Sequence, residues 1–284
     1  MRWTLPIAAL VACAVVAAPG LAAAPAPTGP APSAADWRAP NPEDVLVIDT
    51  SKGRVIVELV PEVAPGHVER LKTLARKGTY DGRTFFRVID RFMAQTGDPR
   101  DTGEGQTELP TLKAEFTFRR DASTAFVTAA SPQGTEEGFI KSLPVISQAI
   151  SWADVTGDRK VSAWGSYCPG VVGMARDDDV DSGNSQFFLM RQPYMSLDKR
   201  YTAFGRVISG LETVRAIKTG EPVPPPQDRM DRVRVLADIP ASERPTVRVI
   251  DPSGPWFKGE IDRVRKDKGA DFSLCDVNIP VEVK

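Results

Sequence analysis

The chain has 284 residues, of which 42% are hydrophobic and 26% are charged, and its net charge is −1. This balance is that of an ordinary globular protein, and the length is enough for one substantial core. A net charge near zero means that the chain has no excess of basic residues of the kind that favours binding to nucleic acid or to an anionic membrane surface. We therefore expect no nucleic-acid partner.

The first 24 residues predict a secretory signal peptide. Arg2 is followed by an apolar stretch at residues 5–18 and by small side chains at residues 21–24. This is the order of a basic region, a hydrophobic region and a cleavage site. The stretch is short for a transmembrane helix, and an uncleaved anchor and a lipoprotein attached through Cys13 remain as alternatives. We therefore expect an exported, periplasmic protein, with secretion or membrane anchoring as the alternatives.

Residues 25–43 are rich in alanine and proline. This composition cannot build a packed core and predicts an extended linker between the site of membrane exit and the folded body. Beyond the linker no segment is apolar over a length that could span a bilayer. We therefore expect no stable membrane insertion once the signal peptide is removed.

The remaining chain alternates short apolar runs with turn residues, which predicts a mostly β fold. Strands are predicted at residues 45–50, 54–59, 84–89, 92–96, 170–175, 185–190, 203–207, 232–236 and 246–250. Helical spacing of apolar residues predicts helices at residues 65–77, 210–218 and 257–268. Between about residues 102 and 169 the pattern is less regular, and only a short helix near residues 143–152 is predicted. Many short strands with two clear helices indicate a closed or nearly closed barrel whose open ends the helices would cover.

Which cysteines remain in the mature chain, and whether they are oxidised, depends on the predicted export. Cys13 would leave with the signal peptide, so the mature chain would keep Cys168 and Cys275. An even pair in an oxidising compartment favours a disulfide, and a loop of about a hundred residues closed in this way is worth roughly 4–5 kcal/mol. Two separate buried thiols are the alternative.

His67 is the only histidine in the chain, and this limits the catalytic and metal sites that the chain could form. A Ser-His-Asp triad would have to be built on it, and no Gly-x-Ser-x-Gly motif is present. Zinc sites usually need several histidine or cysteine ligands. His67 stands at a predicted helix start, so we expect a histidine at the surface or in a helix cap.

Two segments carry candidate chemistry: residues 85–98 read FFRVIDRFMAQTGD, and residues 183–188 read GNSQFF. In the first, Arg87 would pair with Asp90 or Glu69 if it were only a half-exposed surface residue. A two-residue turn after Ile89 would place Arg87 opposite Ala94 and turn Gln95 to the other face. Spacing alone therefore does not bring Arg87 and Gln95 together.

The second segment places Gln186 and Phe188 on one face of a strand, because side chains two residues apart point the same way. A core strand with a tolerated glutamine is the alternative interpretation. An arginine and two glutamines above an apolar floor suit an uncharged, apolar peptide that contains proline.

In this order and spacing, the motifs resemble the cyclophilin-type peptidyl-prolyl isomerases. The matching segments are residues 52–59 (KGRVIVEL), 80–82 (YDG), 85–98, 173–175 (GMA), 184–188 (NSQFF), 197–198 (LD) and 204–205 (FG). The resemblance implies an eight-stranded closed β-barrel capped by two α-helices, formed by residues 44–240. It further implies a long insertion at about residues 102–169 and a C-terminal extension, residues 241–284, that packs on the domain.

The resemblance also implies the site. Arg87 would be the catalytic residue, Phe92, Met93, Phe188 and Leu197 would form a proline pocket, and Gln95, Ala175, Gln186 and Tyr201 would hold the substrate. The implied activity is isomerisation of Xaa-Pro bonds in proline-containing segments of client proteins, during folding of exported proteins, by a monomer without a cofactor or metal. The alternative is a chaperone or scaffold that binds such segments with weak or no isomerase activity.

Overall fold

The computed structural model describes residues 31–284, so the predicted signal peptide and the first part of the predicted linker lie outside it. Residues 32–284 form one compact unit. No helix within the described residues is both long and apolar enough to cross a membrane.

The strands in chain order are β1 (Trp37–Arg38), β2 (Val45–Thr50), β3 (Gly53–Leu59), β4 (Arg87–Ile89), β5 (Met93–Thr96), β6 (Phe118–Arg120), β7 (Val127–Ala130), β8 (Thr135–Ile140), β9 (Leu143–Gln148), β10 (Val161–Gly165), β11 (Val171–Met174), β12 (Phe187–Met190), β13 (Ala203–Ser209), β14 (Met230–Val235), β15 (Val247–Ile250) and β16 (Val281–Val283). The α-helices are α1 (Pro65–Arg76), α2 (Leu211–Ala216) and α3 (Pro255–Lys268). Most of the predicted elements of the barrel region are present, with ends shifted by a few residues.

The main sheet has eight strands in the order β14-β2-β3-β13-β11-β12-β5-β4. Its edge strands β14 and β4 pair with their inner neighbours β2 and β5, but no continuous ladder joins β14 to β4. Isolated bridges instead join Thr84 to Arg229 and Val88 to Gly220 beside these edges. The expected eight-stranded barrel is thus confirmed, with the correction that isolated contacts, not a continuous ladder, connect its two edges.

The interior of the barrel is filled by alternate residues of its strands and by the two capping helices. On β2, Leu46 and Ile48 belong to this interior core. Helix α1 contributes Leu71 and Leu74 to it, and α2 contributes Val214. These apolar faces explain why α1 and α2 pack against the sheet, since each buries its apolar side chains there.

The insertion is more regular than predicted. It forms a five-stranded antiparallel sheet in the order β6-β10-β9-β8-β7. The short helix predicted near residues 143–152 is wrong, because β9 occupies its first half and a 3₁₀-helix, Ile150–Val155, follows. Pro144 disfavours a helix interior, and the β-branched Val145 and Ile146 favour a strand.

The C-terminal extension packs with the insertion on the outer face of the barrel. Strands β1, β15 and β16 form a three-stranded sheet. A second apolar core joins this sheet and α3 to the outward side chains of β2 and β3 and to the insertion; it includes Val45, Val47, Ile56, Phe139, Val249, Phe257 and Ile261. Phe139 and Phe257 meet edge to face, with ring centroids 5.3 Å apart. The insertion, the extension and the barrel therefore share one buried layer.

His67 lies in the first turn of α1 and is only 2% exposed, so its predicted place at the surface is wrong. The carboxylate of Glu115, which belongs to the insertion, accepts the backbone N–H groups of Gly66 and His67 at 3.1 Å each. The same carboxylate lies 2.6 Å from Nδ1 of His67. Glu115 therefore caps the helix and covers the histidine.

Cys168 and Cys275 are joined by a disulfide that closes a sequence separation of 107 residues. The bond links the end of the insertion to the extension. The structure therefore places these cysteines in the pairing that their number favoured.

We predict that reducing this bond destabilises the protein by roughly 2–5 kcal/mol, because a long loop is released in the unfolded chain. Urea unfolding followed by tryptophan fluorescence, with and without reductant, measures the change. The double variant Cys168→Ala/Cys275→Ala should match the reduced wild type and should not respond to reductant. Alkylation of both thiols in the untreated native protein would contradict the prediction.

Candidate active site

The hairpin between β4 and β5 sets the geometry of the site. Ile89 pairs with Met93, so the turn holds three residues, and Arg91 within it has a φ of 55°. A three-residue turn with one left-handed residue is a common hairpin type. The extra residue puts Arg87 directly opposite Gln95. The register expected from a two-residue turn is therefore wrong, and the two side chains share a face.

A chain of hydrogen bonds starts at Arg87 and crosses the sheet. Its Nη1 donates to Oε1 of Gln95 at 3.2 Å. Nε2 of Gln95 donates to Oε1 of Gln186 at 3.0 Å. Nε2 of Gln186 donates to the carbonyl oxygens of Gly103 and Gly105, both at 3.0 Å. The three predicted polar residues thus form one connected network.

The loop that ends this network is shaped by Asp98, whose side chain is fully buried. Its carboxylate accepts the backbone N–H groups of Arg100, Thr102, Gly103 and Gly105. Burial raises the pKa of Asp98, but these four hydrogen bonds outweigh it and the net pKa lies below the usual value. A Cβ at Gly105 would lie 1.6 Å from Oδ1 of Asp98, so only glycine fits there.

A pocket of about 160 Å³ with an apolar floor opens beside Arg87 and Gln95. It is lined by Arg87, Phe92, Met93, Gln95, Ala175, Arg176, Phe188, Leu197 and Tyr201. Its floor is well buried, since Met93, Phe188 and Leu197 are at most 8% exposed. Gln186 lines an adjoining cavity of about 70 Å³ together with Gln95 and Ala175. The structure therefore brings all nine predicted site residues together around two neighbouring cavities.

Arg87 is held from a second side by Glu221, whose Oε1 accepts from Nε at 2.6 Å. The side chains of Arg87 and Glu221 are 38% and 55% exposed. Within residues 31–284, Nη2 of Arg87 has no hydrogen-bond partner. The suggested partners Asp90 and Glu69 are wrong. Glu221 lies 134 residues away in the sequence, which no local pattern could indicate.

Arg176 also lines the candidate site, although no sequence motif indicated it. Its guanidinium lies over the ring of Tyr201 at 4.7 Å and over that of Phe116, in the insertion, at 5.7 Å. It lines both cavities. Its position next to Ala175 is the only signal in the sequence that could have indicated it.

A model of the family described as cyclophilin type peptidyl-prolyl cis-trans isomerase/CLD matches residues 45–236. The chain belongs to this family. It therefore acts as a peptidyl-prolyl cis-trans isomerase, and the enzyme function predicted from the motifs is confirmed. Family membership also identifies proline-containing peptides as the substrate class of this cyclophilin.

Individual relatives agree with this assignment. The chain is 33% identical over 193 residues to a probable peptidyl-prolyl cis-trans isomerase of Brucella suis, which covers 64% of this chain and 75% of that protein. It is 32% identical over 168 residues to peptidyl-prolyl cis-trans isomerase B of Bacillus subtilis, covering 59% and 85%. The crystal structure of cyclophilin AquaCyp293 from Hirschia baltica superposes with a TM-score of 0.80 and 34% identity, covering 87% of this chain and 93% of that one.

A half-buried acid, Asp198, directly follows the pocket residue Leu197. Its carboxylate accepts the backbone N–H of Tyr167 at 3.0 Å and the hydroxyl of Ser166 at 3.2 Å. Burial nevertheless raises the pKa of Asp198 to about 6, from an ordinary value of 3.8. At neutral pH this cyclophilin therefore carries a poorly solvated carboxylate next to the pocket.

We predict that Asp198 makes stability fall as the pH rises. Below about pH 4 the carboxyl is protonated in both folded and unfolded states, and between pH 4 and 7 the folded state resists losing the proton. The loss should be on the order of 1–3 kcal/mol. Urea unfolding between pH 4 and 7.5 measures it. Asp198→Asn should remove this part of the dependence of stability on pH. The control Asp154→Asn, at an exposed position, should keep it. Equal dependence on pH in the two variants would contradict the prediction.

Proposed function

We propose that Arg87 is the catalytic residue of this isomerase. One observation carries the proposal: Nε and Nη1 of Arg87 are held by Glu221 and Gln95, while Nη2 is unpaired within the described residues at the edge of the pocket. The guanidinium is therefore oriented before a substrate arrives and keeps donors for it.

The chemistry needs only such a donor. Rotation about an Xaa-Pro bond is opposed by amide resonance, with a barrier of roughly 18–20 kcal/mol. Midway through the rotation the conjugation is lost, and the prolyl nitrogen gains a lone pair that can accept a hydrogen bond. A preoriented Arg87 binds this twisted state better than either planar state, which lowers the barrier.

The other pocket residues bind the substrate in this proposal. Met93, Phe188 and Leu197 form the floor for the proline ring, and Phe92 forms a wall that packs on Tyr194, with ring centroids 4.6 Å apart. An apolar floor excludes water, which strengthens the hydrogen bond from Arg87.

Polar groups at the pocket edge would hold the substrate backbone. The N–H of Ala175 already donates to the carbonyl of Gln186 at 2.9 Å, so only the carbonyl oxygen of Ala175 remains for a substrate N–H. Gln95 and Gln186 would bind the peptide from the opposite side, and the hydroxyl of Tyr201 would supply a further hydrogen bond.

We predict that Arg87→Ala lowers kcat/KM by roughly 10²–10³-fold, as expected for loss of a preoriented transition-state donor. Arg87→Lys should fall between, because it keeps the charge but not the planar fork. Relaxation of an Xaa-Pro peptide from cis to trans measures the rate. Arg232→Ala, at an exposed arginine paired with Asp49, is the matched control and should match the wild type. An Arg87→Ala variant as fast as the wild type would overturn the assigned role.

We further propose that the clients are exported proteins and that the enzyme works as a monomer in the periplasm. Support comes from the signal-peptide pattern of residues 1–24 and from the disulfide, a bond typical of oxidising compartments. Fractionation of the native cells with N-terminal sequencing tests the location. We predict a mature N-terminus near residue 25 in the periplasmic fraction; an intact Met1 in the cytosol would contradict it.

A further inference from the structure

A small cavity of about 80 Å³ lies where the barrel, the insertion and the extension meet. It shares no lining residue with the proline pocket. Its polar lining comes from Arg206 on β13, from Ser142 in the turn between β8 and β9, and from Asn278 in the extension. Aliphatic side chains, among them Ile208, Leu211 and Ile279, form the other walls.

Arg206 is a buried cation without a partner of opposite charge. It is 9% exposed, and its hydrogen bond is from Nη1 to the carbonyl oxygen of Ser142 at 3.2 Å. No carboxylate of residues 31–284 lies within 4 Å of its guanidinium. Burial lowers the pKa of Arg206 to about 10, so it remains charged at neutral pH. Buried charges in proteins are normally paired, because an isolated one is costly.

The acid that stands across the sheet from Arg206 is already paired with another arginine. Glu58 stands opposite Arg206 in the pairing of β3 with β13. Its two carboxylate oxygens accept from Nη1 and Nη2 of Arg38 at 2.6 and 2.8 Å, and Oε2 also accepts the N–H of Ser142 at 3.1 Å. Glu58 and Arg38 therefore neutralise each other and leave the charge of Arg206 in excess.

A second unsatisfied donor belongs to Ser142, which lines the same cavity. Ser142 is 1% exposed, and its hydroxyl has no hydrogen-bond partner among the described residues. A buried polar atom without a partner is rare in folded proteins. An unpaired cation and an unpaired hydroxyl beside one small cavity are the donors that an oxyanion requires.

We propose that this cavity is a binding site for a small monocarboxylate of the acetate or propionate type. A guanidinium fits the two oxygens of a planar carboxylate, and the hydroxyl of Ser142 can donate to one of them. The aliphatic walls suit a short hydrocarbon tail. A volume of about 80 Å³ exceeds the roughly 10–15 Å³ needed for one water. One excess positive charge matches a monoanion and would leave a phosphate dianion partly unpaired.

Such a ligand would stabilise the junction of three parts of the chain. Pro169 lines the cavity and follows Cys168, and Asn278 lies three residues after Cys275, so the site is next to the disulfide. A carboxylate that binds only the folded protein raises the unfolding temperature in proportion to the logarithm of its concentration above Kd. The site would act on stability without touching Arg87.

Thermal unfolding of the full-length protein with propionate tests the proposal. At fixed pH and ionic strength, with sodium chloride replaced by sodium propionate, the midpoint should rise by about 3–5 °C at a concentration ten times Kd and should keep rising with the logarithm of the concentration. Acetate should act similarly, and inorganic phosphate should not. An equal rise with chloride alone, or a rise with phosphate only, would overturn the proposal.

Three variants assign the effect to the cavity. Arg206→Gln should abolish the rise, Ser142→Ala should weaken propionate binding, and Arg232→Gln on the protein surface should leave it unchanged. Isomerase activity reports whether Arg206→Gln is folded. If Arg206→Gln does not fold, the proposal is tested by the Ser142→Ala variant and by NMR measurement of ¹³C-propionate binding to the wild type. Undiminished propionate binding in Ser142→Ala, or no binding to the wild type, refutes the site.

Discussion

The register of one hairpin determines the polar half of the candidate active site. Arg87 and Gln95 face each other because the turn between β4 and β5 contains three residues. Removing one residue would turn Gln95 to the opposite face, since side chains alternate along a strand. The network then continues through Gln186 to a loop that Asp98 fixes with four backbone hydrogen bonds. The left-handed turn residue Arg91 thus helps to set the position of the Arg87 guanidinium on β4.

The features that could be predicted from the sequence are those that depend on local residue patterns. Strands β2 and β3 and helix α1 follow from periodicity, and the ordered motifs indicated the family and the residues that the structure brings together around the pocket. The partner of Arg87 could not be predicted, because Glu221 reaches it only through the fold. The sheet of the insertion was missed since its strands carry polar residues, glycine and proline, such as Gly138 in β8 and Pro144 in β9. His67 became buried because a distant segment brings Glu115 over it.

The insertion and the extension form one outer layer. Strand β2 is buried on both faces, with Leu46 in the barrel interior and Val45 in the shared outer core. Neither addition could cover this face alone, because residues of both contribute to that core. The superposition on AquaCyp293 covers 87% of the chain, which extends beyond the 45–236 segment matched by the family model. Much of the outer layer is therefore an architecture that this cyclophilin shares with another.

The disulfide closes a covalent loop that contains some residues of the candidate site and leaves the others outside. The loop closed by Cys168 and Cys275 contains Ala175, Arg176, Gln186, Phe188, Leu197 and Tyr201, whereas Arg87, Phe92, Met93 and Gln95 lie outside it. The acidic segment at residues 177–182, exposed over most of its length, lies inside the loop. A protease that cut there would produce two fragments that stay joined through sulfur, each end still anchored by a strand of the barrel. A single nick in this segment would therefore not release a piece of the enzyme.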